Sequence, residues 1–305
     1  MDLLTPPFDR FEFGVCIRGK KKREYFQVPV AKGVKAAFQD ALAYTLNRLT
    51  KQGECGLEDL KQWEASEKHE AEEPCSMEFD EGILTQLKDL AVAENFESNA
   101  SILKDNAGKV FYYFCRFKKG EDQVWAVRKA NQFKSNLKTT TATFGSGELK
   151  LISDNVFRLD DFFDAIITKS KVYILRPKDF EYVADLESEL QDAALSRLRE
   201  ANKSMPYFKL DNLISIVEKG CSMQRARLAT AVASREDLAD TDRGLFIEAC
   251  RRVNITLSET EDGNLEADEK NSWAVLGLLD RRRYATDLIP DKHEVYEASS
   301  RQAVS

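Results

Sequence analysis

Basic and aromatic residues are concentrated between positions 109 and 138 of the chain. The stretch reads KVFYYFCRFKKGEDQVWAVRKANQFKSNLK, with seven aromatic and eight basic residues in a chain whose formal net charge is −7. Lysine and arginine neutralise backbone phosphates, and aromatic rings stack on bases or sugars. This composition is typical of a nucleic-acid-binding surface, but it does not by itself distinguish one from other basic surfaces. A solvated or protein-facing surface with its aromatic residues in the core is the alternative interpretation.

The charges along the chain are strongly segregated. Residues 54–97, here called the acidic segment, contain fourteen Asp or Glu against three Lys, whereas residues 109–150 contain nine Lys or Arg against three acids. A segment this acidic buries too little apolar area to offset its ordering entropy. We therefore expect an acidic surface excursion rather than core, with a short helix at 83–93.

Several cations are predicted to contact phosphates. Lysine, serine, threonine and backbone N–H groups are common phosphate ligands, and residues 131–143 are rich in them. The basic turn at 20–23 extends the same surface if its hairpin shares a sheet with the hairpin at 109–129. The predicted phosphate contacts are Lys20, Lys21, Lys22, Arg23, Arg116, Lys118, Lys119, Arg128, Lys129, Lys134 and Lys138.

A magnesium-dependent nuclease is one alternative. Glu148 and Lys150 form an E-x-K step on a predicted strand, with Asp105 and Asp122 as upstream candidates. In one nuclease superfamily such carboxylates bind Mg²⁺ while the lysine positions the attacking water. The upstream residues lie in a polar loop and a turn, so an exposed alternating strand is the better explanation of the step. We assign no catalytic residue, no metal ligand and no cofactor.

The remaining composition argues against other chemistries. His69 and His293 are the two histidines, both in polar segments, which disfavours zinc catalysis and Ser–His or Cys–His nucleophiles. Six scattered cysteines without a CxxC pair suit reduced cytosolic thiols. The apolar runs are far shorter than the roughly 20 residues that a membrane span needs, and the N-terminus lacks a secretory signal.

The hairpin at 109–129 is the element that must position the basic stretch. Aromatic side chains alternate on one face of its first strand, which is followed by a short turn. If Lys118 pairs with Gln123, then Arg116 faces Trp125 across the two strands. This register predicts a cation–π contact between Arg116 and Trp125.

The whole chain has the pattern of an α+β protein. We expect a mixed sheet with flanking helices in an N-terminal domain at 1–204, and a smaller, mostly helical domain with a β-hairpin at 205–290. Residues 291–305 are predicted to be a disordered tail. Further strands are predicted at 11–18, 24–30, 148–152 and 171–176, and helices at 34–49, 160–168, 177–202 and 272–283.

Residues 156–187 resemble the signature region of the KwaB family, the B component of the Kiwa anti-phage defence system. The family pattern is a helix with a Phe-Asp pair, an apolar strand, a Phe-Glu pair that opens a helix, and a later Leu-Leu-x-Asp ending. The matching residues are Phe157, Phe163, Asp164, 172–175, Phe180, Glu181, Leu278, Leu279 and Asp280.

The resemblance implies a DNA-binding effector. Combined with the basic stretch, it leads us to expect contacts with the phosphate backbone of double-stranded DNA without strong sequence preference. It also implies a cytoplasmic homodimer that is held at the inner face of the cell membrane by a small membrane-embedded partner, KwaA. No catalytic residues come with this resemblance. A non-enzymatic interaction subunit that uses the acidic segment to dock its partner is the other alternative.

Overall fold

The computed structural model divides the chain into two compact units. The first comprises Met1–Trp63 and His69–Asp185, and the second comprises Glu64–Lys68 and Leu186–Ser305. The residues that the structure describes are 4–18, 23–67, 69–70, 72–80, 82–92, 96–106, 109–130, 142–145, 148–151, 159–238, 240–289 and 292–298.

A large mixed sheet organises the first unit. The strands are β1 Arg10–Arg18, β2 Arg23–Gln27, β3 Lys61–Gln62, β4 Cys75–Glu78, β5 Glu97–Ser98, β6 Val110–Lys119, β7 Asp122–Lys129, β8 Ala142–Gly145, β9 Glu148–Leu151, β10 Ala165–Ile167 and β11 Lys171–Ile174. Within the described residues nine of them form one sheet in the order β3-β4-β11-β10-β7-β6-β1-β2-β5. The pairs β3–β4 and β2–β5 are parallel, and β8 pairs with β9 separately.

Helices cover both faces of this sheet. The helices of the first unit are α1 Lys32–Leu49, α2 Thr85–Val92, α3 Ile102–Asn106 and α4 Pro177–Ala184. On one face Phe38 of α1 stacks on Phe13 of β1, with 4.9 Å between the ring centroids. On the other face Tyr25 of β2 donates to the carbonyl oxygen of Gln86 in α2 at 2.9 Å. Burial on two sides explains why the central strand β6 is apolar at successive positions.

The predicted hairpin is confirmed as β6 and β7. Lys118 pairs with Gln123, and Arg116 lies opposite Trp125, in the register expected from the sequence. The guanidinium of Arg116 lies 4.9 Å from the centroid of the Trp125 ring, so the cation–π contact is also confirmed. Gly120 occupies the turn with φ +61, a conformation that glycine adopts without steric cost.

A buried ion pair joins β1 to β6. Arg116 has a relative exposure of 1 %, and its Nε donates to Oε2 of Glu12 at 2.6 Å. Its Nη2 contacts the same carboxylate. Arg10 also contacts Glu12, from Nε to Oε1 at 2.7 Å, but the Arg10 side chain is 58 % exposed. The sheet therefore encloses the ion pair of Arg116 and Glu12, whereas Arg10 extends into solvent.

The acidic segment is not simply a surface excursion, and that prediction is wrong for its apolar residues. Cys75 and Met77 are buried in β4, which pairs with β11. Trp63 is buried and donates from Nε1 to Oε1 of Glu181 at 3.0 Å. His69, expected in a polar segment, is buried against the Trp63 ring. The expected helix is confirmed as α2. The acidic segment therefore contributes a few apolar residues to the core, although most of its residues are polar or charged.

Two helix predictions after position 159 need correction. The predicted helix at 160–168 is wrong, because Ala165 and the two isoleucines after it are fully buried in β10, which pairs with strands on both sides. The helix that starts at Pro177 is confirmed, but it ends at Ala184. Asp185 has φ 64 there, in the left-handed region, which breaks the helical path before the chain turns helical again.

The second unit is mostly helical, as expected. Its elements are α5 Glu187–Ser204, β12 Phe208–Lys209, α6 Asp211–Glu218, α7 Met223–Ala233, α8 Arg243–Arg252, β13 Leu257–Glu259, β14 Leu265–Ala267, α9 Ser272–Leu279, β15 Arg283–Ile289 and β16 Lys292–Glu297. Within this unit α5 packs on α6 and α7, and Gln191 of α5 donates to the carbonyl oxygen of Val217 at 2.7 Å. No helix in the described parts of the chain has the length and apolar character needed to cross a bilayer.

The end of the chain differs from its prediction. The hairpin of β13 and β14 is confirmed, with Gly263 at φ +75 in its turn. The last helix ends at Leu279, and Arg283 begins β15 instead of closing that helix. Lys292–Glu297, expected to be disordered, forms β16 and pairs with β15. Residues 299–305 of the predicted tail lie outside the described residues.

The buried pair yields a prediction about stability. Replacing Glu12 by Gln leaves the enclosed Arg116 guanidinium without its counter-charge, and breaking such a pair costs about 3–5 kcal/mol. We expect a loss of this size in the free energy of unfolding measured by urea denaturation. The control Arg10→Gln removes an exposed charge from the same carboxylate and should cost less than about 1 kcal/mol. Equal losses in the two variants would contradict a special role for the enclosed pair.

Candidate nucleic-acid interface

The pairing of β1 with β6 decides where the predicted cations lie. Arg10 is opposite Lys118, and Ile17 is opposite Val110, because the two strands are antiparallel. Lys118 and Arg18 therefore lie at opposite ends of the sheet. β1 has nine residues, and at about 3.3 Å per residue its ends are roughly 26 Å apart. The hairpins share a sheet, but the expected single surface is wrong for the described residues, because Arg18 and Arg23 lie at the other end from Lys118 and Lys119.

One end of the sheet collects cations from four separate segments. Arg18 and Arg23 border the β1–β2 connection, Lys109 precedes β6, and Lys129 ends β7. Lys178 belongs to the first turn of α4. Asp179, the residue after it, accepts a hydrogen bond from Lys129 Nζ at 3.1 Å. We call this set the basic strand end. Arg18, Lys109 and Lys178 are exposed, which makes their charges available to a ligand.

Aromatic rings hold the cations of the basic strand end in place. The guanidinium groups of Arg18 and Arg23 lie 5.3 and 4.7 Å from the ring centroid of Phe111. Lys129 Nζ lies 4.3 Å from the centroid of the Tyr182 ring, and that ring packs on Phe111 at 4.7 Å. Cation–π contacts of this kind restrict long side chains without removing their charge. The aromatic residues here orient cations and are not themselves open for stacking on bases.

Arg23 is less available than its exposed neighbours. Its side chain is 9 % exposed and lies 3.4 Å from Oδ2 of Asp185. Its Nη1 also donates to the carbonyl oxygen of Val183 at 2.6 Å. Both partners belong to the end of α4 or follow it, so Arg23 anchors that helix to β2. Its contribution at the surface is the local positive potential rather than a free hydrogen-bond donor.

Arg128 is removed from the set of phosphate contacts by its burial. Its relative exposure is 2 %, and its guanidinium lies 3.0 Å from Asp160 and 3.7 Å from Asp179. Nη1 donates to Asp164, and the guanidinium lies 4.1 Å from the centroid of the Phe162 ring. The prediction for Arg128 is therefore wrong, because every side of the group is occupied by carboxylates or an aromatic ring.

Burial and hydrogen-bond partners have opposite effects on the pKa of the Asp164 carboxyl. Burial raises its pKa to about 6, against opposing effects of the Arg128 guanidinium and of the backbone N–H of Lys129, which donates to Oδ2 at 2.7 Å. The nearby Asp179 carboxylate adds to the rise. Desolvation is the largest effect, so this carboxyl titrates within reach of physiological pH.

The prediction for Arg116 is also wrong. Its guanidinium is enclosed between Glu12, the Trp125 ring and the Phe96 ring, whose centroid is 5.5 Å away. A buried arginine already paired with a carboxylate has no N–H directed at solvent where a phosphate can approach. Arg116 stabilises the sheet instead of contributing to a surface.

The opposite end of the sheet, here called the turn end, carries Arg10, Lys118 and Lys119. Lys118 and Lys119 are partly exposed, and Lys119 Nζ donates to the carbonyl oxygen of Thr5 at 3.2 Å. Asp9 accepts from the backbone N–H of Gly120 at 2.7 Å, and the turn itself contains two acidic residues. These acids offset the lysines, so the turn end is close to neutral.

Five predicted contacts, Lys20, Lys21, Lys22, Lys134 and Lys138, lie outside the described residues. Along the chain, the first three connect Arg18 to Arg23, and the last two follow Ala130. Arg18, Lys109 and Lys178 were missed by the sequence reasoning. Arg18 directly precedes the GKKKR turn, so the strand boundary contained a usable signal, whereas Lys178 required knowledge of the tertiary fold.

The nuclease alternative gains no supporting observation. The predicted strand is confirmed as β9, but it pairs with β8, whereas Asp122 begins β7 of the large sheet. Asp105 lies in α3. Among the residues that the structure describes, no group of three or more His, Cys, Asp or Glu side chains is placed to hold a metal ion.

The residues that carry the family pattern have packing and anchoring roles. Phe163 is buried beside Phe38 of α1, with 6.1 Å between ring centroids. Asp164 holds Arg128 and the backbone of Lys129, and Glu181 holds the Trp63 indole. Asp164 and Glu181 therefore tie the strand and helix that border the basic strand end to the rest of the first unit.

The fold and this surface define a two-unit α+β protein with a basic strand end braced by aromatic rings and buried carboxylates. The model of the family described as Kiwa protein KwaB-like matches residues 107–288, and the chain belongs to that family. The family is that of a component of Kiwa anti-phage defence. No curated protein and no solved structure matches the chain.

The raised pKa of Asp164 predicts a pH-dependent stability. In the unfolded chain this carboxyl titrates near pH 4, whereas its pKa in the folded protein is about 6. Between these values unfolding releases a proton, so this group's contribution to stability is present below pH 4 and is lost as pH rises through 6. The free energy of unfolding of the Asp164→Asn variant should lack that decline.

The control is Asp161→Asn, which alters an exposed neighbour of the same type. Denaturation of the three proteins from pH 4 to 7 measures the effect, which is on the order of a few kcal/mol for a shift of this size. If the Asp164→Asn and Asp161→Asn curves run parallel to each other, Asp164 does not titrate in this window.

Proposed function

We propose that this chain is a DNA-binding effector of Kiwa anti-phage defence, and that it holds the phosphate backbone of double-stranded DNA at its basic strand end. The observation that carries the proposal is the convergence of Arg18, Lys109, Lys129 and Lys178 at one end of the sheet. Membership of the KwaB-like family supports the cellular setting. The protein acts on the cytoplasmic side of the membrane, as a homodimer.

The two basic segments that flank this surface in the sequence strengthen the argument. Residues 19–22 and 131–141 together contain five lysines and no acidic residue, and both are covalently attached to the basic strand end. The family model covers Lys109, Lys129 and Lys178, whereas Arg18 and Arg23 lie in the part of the chain that it does not match. Lysine-rich segments beside fixed cations favour phosphate contacts over base recognition.

Net charge and specificity follow from the same arrangement. The formal net charge of −7 repels DNA from the rest of the surface and directs its approach to the basic strand end. Contacts made by Lys and Arg with phosphates carry little sequence information. We therefore expect similar affinity for unrelated duplexes of equal length.

Charge reversal tests the location of the DNA site. The triple variant Arg18→Glu, Lys109→Glu, Lys178→Glu alters exposed cations of the basic strand end. If the protein neutralises about six phosphates, the slope of log K against log salt is about −5, and the loss of half of these contacts brings it to about −3. Fluorescence anisotropy with labelled duplexes at several salt concentrations measures both affinity and slope.

The matched control is Arg10→Glu, Lys118→Glu, Lys119→Glu, which makes the same change in net charge at the turn end. It also tests Lys118 and Lys119, which stay predicted contacts. We expect the control to retain most of the slope. An equal or larger loss in the control would show that the basic strand end is not the principal site.

We also propose that the acidic segment docks the membrane-embedded partner KwaA. Cytoplasmic loops of membrane proteins carry an excess of Lys and Arg, which an acidic surface attracts. Glu54, Glu58 and Glu70 are exposed in this segment. Deleting the segment is a poor test because β3 and β4 lie within it, so point substitutions are needed.

The triple variant Glu54→Lys, Glu58→Lys, Glu70→Lys should lose co-purification with KwaA while its DNA affinity is retained. The control Glu248→Lys, Glu261→Lys, Asp262→Lys makes the same charge change at exposed positions of the second unit. Undiminished co-purification of the first variant would assign the docking surface elsewhere.

A further inference from the structure

The carboxylate of Asp179 lies among three cations beside the basic strand end. Its Oδ1 accepts a hydrogen bond from Lys129 Nζ at 3.1 Å, and its Oδ2 lies 3.3 Å from Nε of Arg176 and 3.7 Å from Nη1 of Arg128. Two of these cations end β7, and the third directly precedes α4. The Asp179 side chain is 14 % exposed, so solvent reaches this group of charges.

Two of the three cations keep Asp179 paired when Lys129 moves away. Arg128 is buried and is fixed by two further carboxylates. Arg176 lies three residues before Asp179 in the chain and contacts it across the start of α4. Separating Lys129 from the carboxylate therefore leaves the negative charge compensated. The large cost of an unpaired, desolvated carboxylate is avoided.

Lys129 is the cation that can change its partner. Its side chain is 26 % exposed, and its Nζ lies 4.3 Å from the centroid of the Tyr182 ring. The ring contact does not depend on Asp179, so it holds the ammonium in place after the ion pair opens. A lysine ammonium has three donors on a flexible stem. Because partly exposed ion pairs contribute little stability, another anion can compete with the carboxylate for Lys129.

A phosphate oxygen is the competing acceptor that the surroundings favour. Carboxylate and phosphate oxygens accept the same charge-assisted hydrogen bonds from an ammonium, and the exposed Lys178 is adjacent to Asp179 in the chain. We propose that Asp179 is an internal competitor of DNA: it holds Lys129 in the free protein, and a backbone phosphate replaces it on the ammonium when DNA binds. This inference rests on the proposed DNA binding and identifies a residue that limits its affinity.

The alternative role for Asp179 is to position Lys129 for DNA, and the contacts argue against that role. Tyr182 already restricts the ammonium, whereas Asp179 adds a negative charge next to the place that a phosphate must take. Like charges at such a separation repel each other. A positioning residue raises the DNA affinity and a competitor lowers it, so the two roles predict opposite effects of removing the charge.

The substitution Asp179→Asn tests the competition, because asparagine retains the size of the side chain and removes its charge. The control Asp161→Asn makes the same change in net charge at an exposed position. Fluorescence anisotropy of a labelled duplex with the full-length proteins measures the affinity at fixed salt. We expect Asp179→Asn to bind about three-fold more tightly than the control, the size expected for releasing a partly exposed ion pair. Affinity equal to or below that of the control would overturn the proposal.

A double-mutant cycle shows whether the gain acts through Lys129. Lys129→Gln removes the ammonium, and we expect it to reduce the affinity more in the Asp179→Asn background than in the wild-type chain. The two reductions should differ by the same factor of about three, because the pair is coupled. Equal reductions in both backgrounds would mean that the Asp179 charge acts on DNA without Lys129, and would refute the exchange.

The salt dependence of Lys129→Gln alone gives a second measurement, which does not require Asp179→Asn to fold. Loss of one phosphate contact should bring the slope of log K against log salt closer to zero by about 1. The control Lys270→Gln alters an exposed lysine of the second unit and should keep the wild-type slope. A wild-type slope in Lys129→Gln would show that this ammonium does not leave Asp179 for a phosphate.

The outcomes separate this inference from the proposed DNA binding. If charge reversal at the basic strand end weakens binding while Asp179→Asn behaves like Asp161→Asn, the competition is refuted and the DNA site stands. If the wild-type protein binds no duplex at low salt, both are refuted. All variants are compared with the wild type by their melting transitions, so that a loss of folding is not mistaken for a loss of affinity.

Discussion

The antiparallel pairing of β1 with β6 is the constraint on which the surface of the first unit depends. Because the two strands run antiparallel, Arg10 lies at the Lys118 end of β6 and Arg18 lies at its Val110 end, so the basic residues of these strands divide between opposite ends of the sheet. The length of β6 separates Lys118 and Lys119 from Lys109, and the length of β7 separates them from Lys129. Cations from different segments are brought together instead, and this convergence defines the basic strand end.

Buried charge pairs complete the arrangement. Arg116 is enclosed by one carboxylate and two aromatic rings, and Arg128 by several carboxylates and one ring, so both belong to the core and not to the surface. Partners remote in the sequence make this possible, since Glu12 comes from β1 and Asp164 directly precedes β10. The aromatic residues that first suggested stacking on bases serve the same end, because they support guanidinium groups and pack the sheet.

Features fixed by neighbouring residues could be predicted from the sequence, whereas features that depend on distant segments could not. Alternating aromatic residues and a glycine-containing turn specify the register of β6 with β7, including the contact of Arg116 with Trp125. The same residues say nothing about Glu12, so the burial of Arg116 was not predictable. At 160–168 the apolar residues fit a helix as well as a strand, and only pairing with β7 and β11 decides for the strand. Two members of the basic strand end, Arg23 and Lys129, were predicted as phosphate contacts from the sequence, whereas Lys178 joins it only through the fold.

Hydrogen–deuterium exchange of the full-length protein with and without a short DNA duplex tests the central claim most directly, because it reports the location of the ligand without any substitution. The account predicts slower exchange at the backbone amides around Arg18, Arg23, Lys109 and Lys178, and unchanged exchange at the turn between Lys119 and Asp122. Protection centred on that turn, or confined to the second unit, would contradict it.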